Sequence, residues 1–106
     1  MAPAPDLQQL LAVADAIGNP HRLRIVAALQ DGRQYVSELA RQLGLSRPLL
    51  YLHLGKLETA GFVSGELELS KDGKAMKYYE LKPFSLKIDA STIAAAVKRA
   101  GPAGGA

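Results

Sequence analysis

Arg47, Tyr51 and Lys56 lie four and five residues apart in the stretch SRPLLYLHLGKLETAGFV, which begins at Ser46. A guanidinium can fork to guanine O6 and N7, a phenol can donate to a phosphate, and an ammonium can neutralise one. Carried on a helix, these groups suit a major groove. The same stretch holds Leu49, Leu50, Leu52, Leu54 and Leu57, so it must also feed a core. At roughly 100° per residue, Leu50, Leu54 and Leu57 share one face, with His53 at its border. Pro48, Leu52, Gly55 and Lys56 lie opposite, with Arg47 and Tyr51 on one flank and Leu49 near the other. Leu52 cannot hydrogen-bond, but it can meet thymine methyls. Lys56 is expected near phosphate, adding affinity without sequence preference.

The elements that position this helix follow from local punctuation. Ser46 caps it, Pro48 suits its first turn and Gly61 stops it. Upstream, Val36 to Leu43 predicts a shorter helix, closed by Gly44, with Leu45 as the step to the Ser46 cap. Asn19 and Pro20 open a helix that is expected to reach Gly32. Asp6, with Gln9 three residues on, forms a capping arrangement for LQQLLAVADAI, and Leu7, Leu10, Leu11, Ala14 and Ile17 predict its apolar stripe. After Gly61 the period shortens. Glu66 to Leu69 alternates, AMKYYELK is rich in strand formers, and Asp72-Gly73 suits a turn, so a two-stranded hairpin is expected with Lys71, Lys74 and Lys77 at or near its tip. Alternation sets Glu66 and Glu68 on the face opposite Leu67 and Leu69, and that acidic face is expected to look away from a duplex. PFSLKI reads as extended. Asp89 caps a last helix carrying Ala90, Ile93 and Val97 on one side.

Composition narrows the function classes. The chain has 106 residues, 48% hydrophobic, with a net charge of +3 and no cysteine. That allows one domain, expected over residues 6–100 between tails 1–5 and 101–106. It removes disulfides, thiolate metal sites and cysteine nucleophiles together. No apolar run reaches the ~20 residues needed to span a bilayer and MAPAPDLQQ lacks the parts of a signal peptide, so a cytoplasmic location is expected. From Pro20 to Lys56, six Lys/Arg face only Asp31 and Glu38, a local balance of +4, and Arg22, Arg24, Arg33 and Arg41 are expected to add to a positive surface. There is no nucleophile–base pairing, Gly-rich phosphate loop or paired carboxylate site, which argues against an enzyme.

Two helices joined by a short turn, the second capped by Ser and followed by a lysine-tipped hairpin, form a winged helix-turn-helix pattern: mainly α with a small β-hairpin wing, about five helices and two antiparallel strands. The helix-turn-helix falls at about 36–60, the wing at about 62–82 and the last helix at about 89–100. From about Ala14 to Leu81 the chain resembles the ArsR-type winged-helix transcription regulators. IGNPHRLRIVAAL resembles the family's second helix, VSELARQLGLSRPLLYLHLGKLETAGFV its DNA-binding pair, and GKAMKYYEL the returning strand of its wing.

The resemblance implies a homodimer that binds a palindromic operator in double-stranded DNA and acts as a repressor or activator. Ser46, Arg47, Pro48, Tyr51, Leu52 and Lys56 would then lie in the groove, with Lys71, Lys74 and Lys77 beside the backbone. It places dimer contacts on the first and last helices, here Leu7, Leu10, Leu11, Ala14, Ile93 and Val97. His53 matches a family histidine and is expected to pack rather than bind metal. Tyr51 departs from the family, which usually has a small hydroxyl residue there. Where one family metal site has thiolates this chain has Tyr35 and Ser37, and where another uses Asp and His it has Asp89 alone. No resident cofactor or metal is therefore expected, with His21 the one weak candidate ligand, and a separate sensor protein could supply the signal. The alternative is a winged-helix protein-interaction module, which Leu49, Leu52, Glu66 and Glu68 would suit.

Overall fold

A computed structural model describes residues 5–102. Its order is α1 (Leu7–Ile17), α2 (Pro20–Leu29), β1 (Gln34–Tyr35), α3 (Val36–Leu43), α4 (Arg47–Thr59), β2 (Val63–Leu69), β3 (Ala75–Leu81) and α5 (Ala90–Ala100). The expected tails lie largely outside the described residues; Pro5, at the edge, accepts a 2.7 Å hydrogen bond from Arg99 on α5. Among the described residues no helix is long and apolar enough to cross a membrane.

The helix starts obey local chemistry. Asp6 and Gln9 close a reciprocal capping box, Asn19 accepts from the amides of His21 and Arg22, Ser46 accepts from Leu49, and Asp89 pairs with Thr92. Each cap satisfies donors that a helix leaves without internal partners. The stops differ in kind. Gly44 sits at φ 66°, a left-handed conformation open to glycine at little cost, and it turns the chain from α3 into α4. Gly18 is not left-handed: its φ is −79°, and a Cβ there would come within 2.7 Å of the Ala14 carbonyl oxygen. Glycine is required at that stop by space rather than by dihedral.

Ile25, Leu29, Leu39, Leu50, Leu54, Leu57 and Val63 form the fully buried centre, with Val13, Ala16, Val36, Phe62 and Tyr79 around them. Alpha4 thus contributes three leucines to the core, as its rotation predicts. The expected stripe of α1 divides between core and surface. Alpha1 buries Leu10, Val13 and Ala16, whereas Leu11 is 62% exposed and Ala14 faces solvent. The helix has apolar residues on two sides, and small Val13 and Ala16 allow the closer approach to the core. Alpha5 packs on α1 through fully buried Ala96, leaving Ile93 and Val97 about half exposed. Alpha2 ends at Leu29 rather than at Gly32, capped by Gln30.

The sheet has three antiparallel strands in the order β1-β3-β2, not two. The hairpin pairs Val63 with Leu81 through Leu69 with Ala75, and the extra strand pairs Gln34 with Tyr79 and Tyr35 with Tyr78. Two residues are too few for a periodicity to register in the sequence. That short strand nonetheless ties the start of α3 to the returning strand of the wing.

Candidate nucleic-acid interface

The surface of α4 opposite its leucine core holds Arg47, Pro48, Tyr51, Leu52, Gly55 and Lys56, all exposed, with Leu52 at 57%. One exposed apolar residue means little alone, but here it lies amid a donor-bearing helix face. Arg47 and Tyr51 line a groove of about 500 Å³ whose other wall is the wing: Leu67, Lys74, Ala75, Met76 and Lys77, with Tyr35, Val36 and Ser37 at its end. The fold therefore brings Arg47, Tyr51, Lys74 and Lys77 together. Lys77 lies 5.5 Å from the centroid of the Tyr79 ring. Lys71 projects from the turn, outside this groove. Lys56 lines a second groove, between α4 and α1, with Leu52, Gly55, Ala12 and Asp15.

The positive surface is smaller than composition suggests. Arg22 does not contribute to it, being 7% exposed. Its Nε donates to the Ala16 carbonyl, its Nη2 to that of Asp15 at 3.0 Å, and its Nη1 to His53 Nδ1 at 3.1 Å. Arg41 pairs with Glu38 one turn back, and Arg33 with Glu68 at 3.1 Å. Arg47 and Lys56 are thus the basic groups that α4 leaves for a partner.

His53 sits on the inner border of α4, 6% exposed. A guanidinium can only donate, so Nδ1 accepts and the ring carries its proton on Nε2, which is buried without a partner among the described residues. Burial first, then the nearby Arg22 guanidinium, with smaller contributions from His21 and Lys56, holds its pKa below the ordinary 6.5. Between that lowered value and 6.5 the folded chain binds fewer protons here than the unfolded chain. Stability from this residue is therefore complete above about pH 6.5 and falls as pH drops through that window. Urea titrations at pH 7.5 and 5.5 should show the acid loss, and His53→Met should flatten it; an equal slope in both proteins would assign the loss elsewhere. His21 lies 5.3 Å from His53, ring to ring, but Arg22 already occupies His53 Nδ1. No group of three or more His, Cys, Asp or Glu gathers among the described residues.

Glu66 and Glu68 share the outer face of the wing with Tyr78, as alternation requires, and both are engaged. Tyr78 donates to Glu66 at 3.0 Å and Tyr35 to Glu68 at 2.9 Å. These bonds hold both phenols above their ordinary pKa. Sequence reasoning missed this cluster, as it missed Met76 and Ser37 in the groove wall. The one available signal was Tyr35 itself, standing at a helix cap where Ser, Thr, Asp or Asn is usual.

A recognition helix behind a left-handed glycine turn, flanked by a hairpin whose lysines share its groove, defines a winged helix-turn-helix DNA-binding domain. The family model for bacterial regulatory proteins of the arsR family matches residues 19–64, from the α2 cap into β2. An HTH-type transcriptional regulator of Methanocaldococcus jannaschii is 37% identical over 83 residues, spanning 78% of this chain and 86% of the relative. The HTH-type transcriptional repressor SmtB of Mycobacterium tuberculosis is 37% identical over 68 residues, 60% of this chain and 50% of the repressor. A homodimeric winged helix-turn-helix DNA-binding domain from Mycobacterium bovis, described as a possible ArsR-family regulator, has 27% identity and a TM-score of 0.59 over 76% of this chain and 75% of that one. The chain belongs to the ArsR family of transcriptional regulators. It is a regulator and not an enzyme.

Proposed function

We propose that the chain acts as a homodimer that reads an imperfect palindrome in double-stranded DNA, with α4 in the major groove and the wing lysines on the flanking backbone. The observation that carries this reading is the groove shared by Arg47, Tyr51, Lys74 and Lys77 on the side of α4 turned away from the core. Leu11, 62% exposed, and Ile93 and Val97, each just under half exposed, supply apolar surface for a second copy on the packed pair α1 and α5, as the homodimeric neighbour supports. Of the expected dimer residues, Leu10 is buried within its own protomer and Leu7 partly so. The relative named as a repressor supports repression as the mode of action.

Two copies of α4 related by a twofold axis should meet half-sites about one helical turn, roughly 34 Å, apart. Arg47→Ala should cost roughly 1–3 kcal/mol of DNA binding and relax preference at one base pair in each half-site. Weakening that is uniform over all sequences would instead make Arg47 a phosphate contact. Lys56→Ala should lower the slope of log affinity against log salt by about one unit. An unchanged slope would remove Lys56 from the interface. Anisotropy titrations on duplexes enriched from random DNA measure both.

A further inference from the structure

We propose that Arg33, Tyr35 and Glu68 form a brace that sets the wing's angle against the helix-turn-helix, making them positioning residues for DNA binding that touch no base. The inference rests on the reading of Lys74 and Lys77 as backbone contacts.

The far half of the wing needs such a device. Leu67 and Leu69 are 69% and 74% exposed, so little core holds the hairpin beyond Tyr79. A two-stranded ribbon is marginal in water without a third strand or a packed face. The third strand here offers only two residues, and neither reaches the tip by backbone pairing. Side chains span the remaining distance. Tyr35 donates to one oxygen of Glu68 at 2.9 Å and Arg33 pairs with the other at 3.1 Å, so both oxygens are held from the β1 segment across the intervening strand. The Arg33 guanidinium lies 4.1 Å from the ring centroid of Tyr78 on that strand, and Tyr35 meets the same ring edge-on at 6.1 Å. Glu68 is opposite Met76, one pair from the end of the ladder, and Met76 is next to Lys77 and two residues from Lys74.

The placement of Tyr35 supports this role. It is the N-cap residue of α3 yet makes no side-chain cap hydrogen bond. A cap position that Ser or Asp would fill better carries instead a side chain long enough to reach the wing. Arg33 and Glu68 are each more than two-fifths exposed, so the ion pair adds little to global stability. Its consequence is orientation of the hairpin.

Charge and positioning predict opposite signs for one substitution. Glu68→Gln removes a negative charge near DNA, and electrostatics alone would tighten binding. The brace predicts weaker binding. The experiment measures affinity by anisotropy on a duplex enriched from random DNA, for Tyr35→Phe and Glu68→Gln, each in the parent chain and in a Lys74→Ala/Lys77→Ala background. The lysine pair should lower the salt slope by about two units. Tyr35→Phe and Glu68→Gln should each weaken binding by about threefold or more in the parent and leave it nearly unchanged without the lysines, the coupling expected of groups that act through one another. Backbone order parameters over residues 66–77 should fall in Tyr35→Phe without DNA, while the α4 values stay. Equal effects in both backgrounds, tighter binding by Glu68→Gln, or an unchanged wing would overturn the brace alone. A lysine pair that binds DNA like the parent would overturn the reading of the wing, and the brace with it.

Discussion

Arg22→Met should destabilise the fold by about 2–6 kcal/mol, a large part of the 5–15 kcal/mol that domains of this size possess. Arg22 is 7% exposed, and its guanidinium donates to two backbone carbonyls and one imidazole rather than to a carboxylate. The two carbonyls, Asp15 and Ala16, lie in the last turn of α1, where a helix leaves its acceptors unpaired. Most helices close such an end with a left-handed glycine or a basic residue in the last turn. Alpha1 has neither, since Gly18 is not left-handed and its last turn contains no basic side chain. Arg22, reaching back from α2, serves as that cap.

Methionine keeps the apolar stem and removes every donor, leaving buried acceptors at a cost of about 1–3 kcal/mol each. Arg22→Lys keeps one cationic head but cannot fork to three acceptors, so its loss should be intermediate. Urea titration at pH 7.5 reads both. A loss below about 1 kcal/mol for Arg22→Met would show that water or a shift of α1 replaces the clamp. Because the third acceptor is His53 on α4, the same clamp joins the end of α1 to the recognition helix.

The second large effect separates the two faces of α4. Leu54 is fully buried among Ile25, Leu29, Leu39, Leu50 and Leu57, so Leu54→Ala should cost about 2–5 kcal/mol through lost transfer energy and a cavity. Leu52, two residues earlier and 57% exposed, should change stability by no more than about 0.5 kcal/mol when truncated. For a domain of this length, each kcal/mol corresponds to a melting shift of about 4–8 °C. Leu54→Ala is therefore expected to lower the midpoint by about eight degrees or more, and Leu52→Ala by about four at most. Their effects on DNA should run the other way. Leu52→Ala should keep the fold and alter preference at A·T pairs, through loss of a thymine-methyl contact. Comparable melting shifts for the two would mean that α4 is rotated from the orientation described above.

What was legible in the sequence was local. Asp6 with Gln9, Asn19 before Pro20, Ser46 and Asp89 each act within three residues of where they stand, so their caps follow from type and spacing. The rotation of α4 was legible because three leucines at helical spacing leave one solution for the core. The rest depended on distant partners. Arg22 resembles any surface arginine until α1 and α4 converge on it, since its acceptors are two backbone carbonyls and a ring 31 residues away. Glu68 reads as a repulsive charge on the wing until β1 brings Arg33 and Tyr35 across the sheet. On α1, Leu7, Leu10, Leu11 and Ala14 form as good a stripe on paper as the Leu10, Val13 and Ala16 that are buried. Tertiary packing, not periodicity, chose between them.

The reading of α4 as a two-faced helix, with its outer side in the major groove, is tested most directly by hydroxyl-radical footprinting on a duplex enriched from random DNA. Two protected half-sites about one helical turn apart, related by a dyad, are expected, with Arg47→Ala losing discrimination at the same base pair in each. A single unpaired footprint, or protection with no dependence on Arg47, would contradict it.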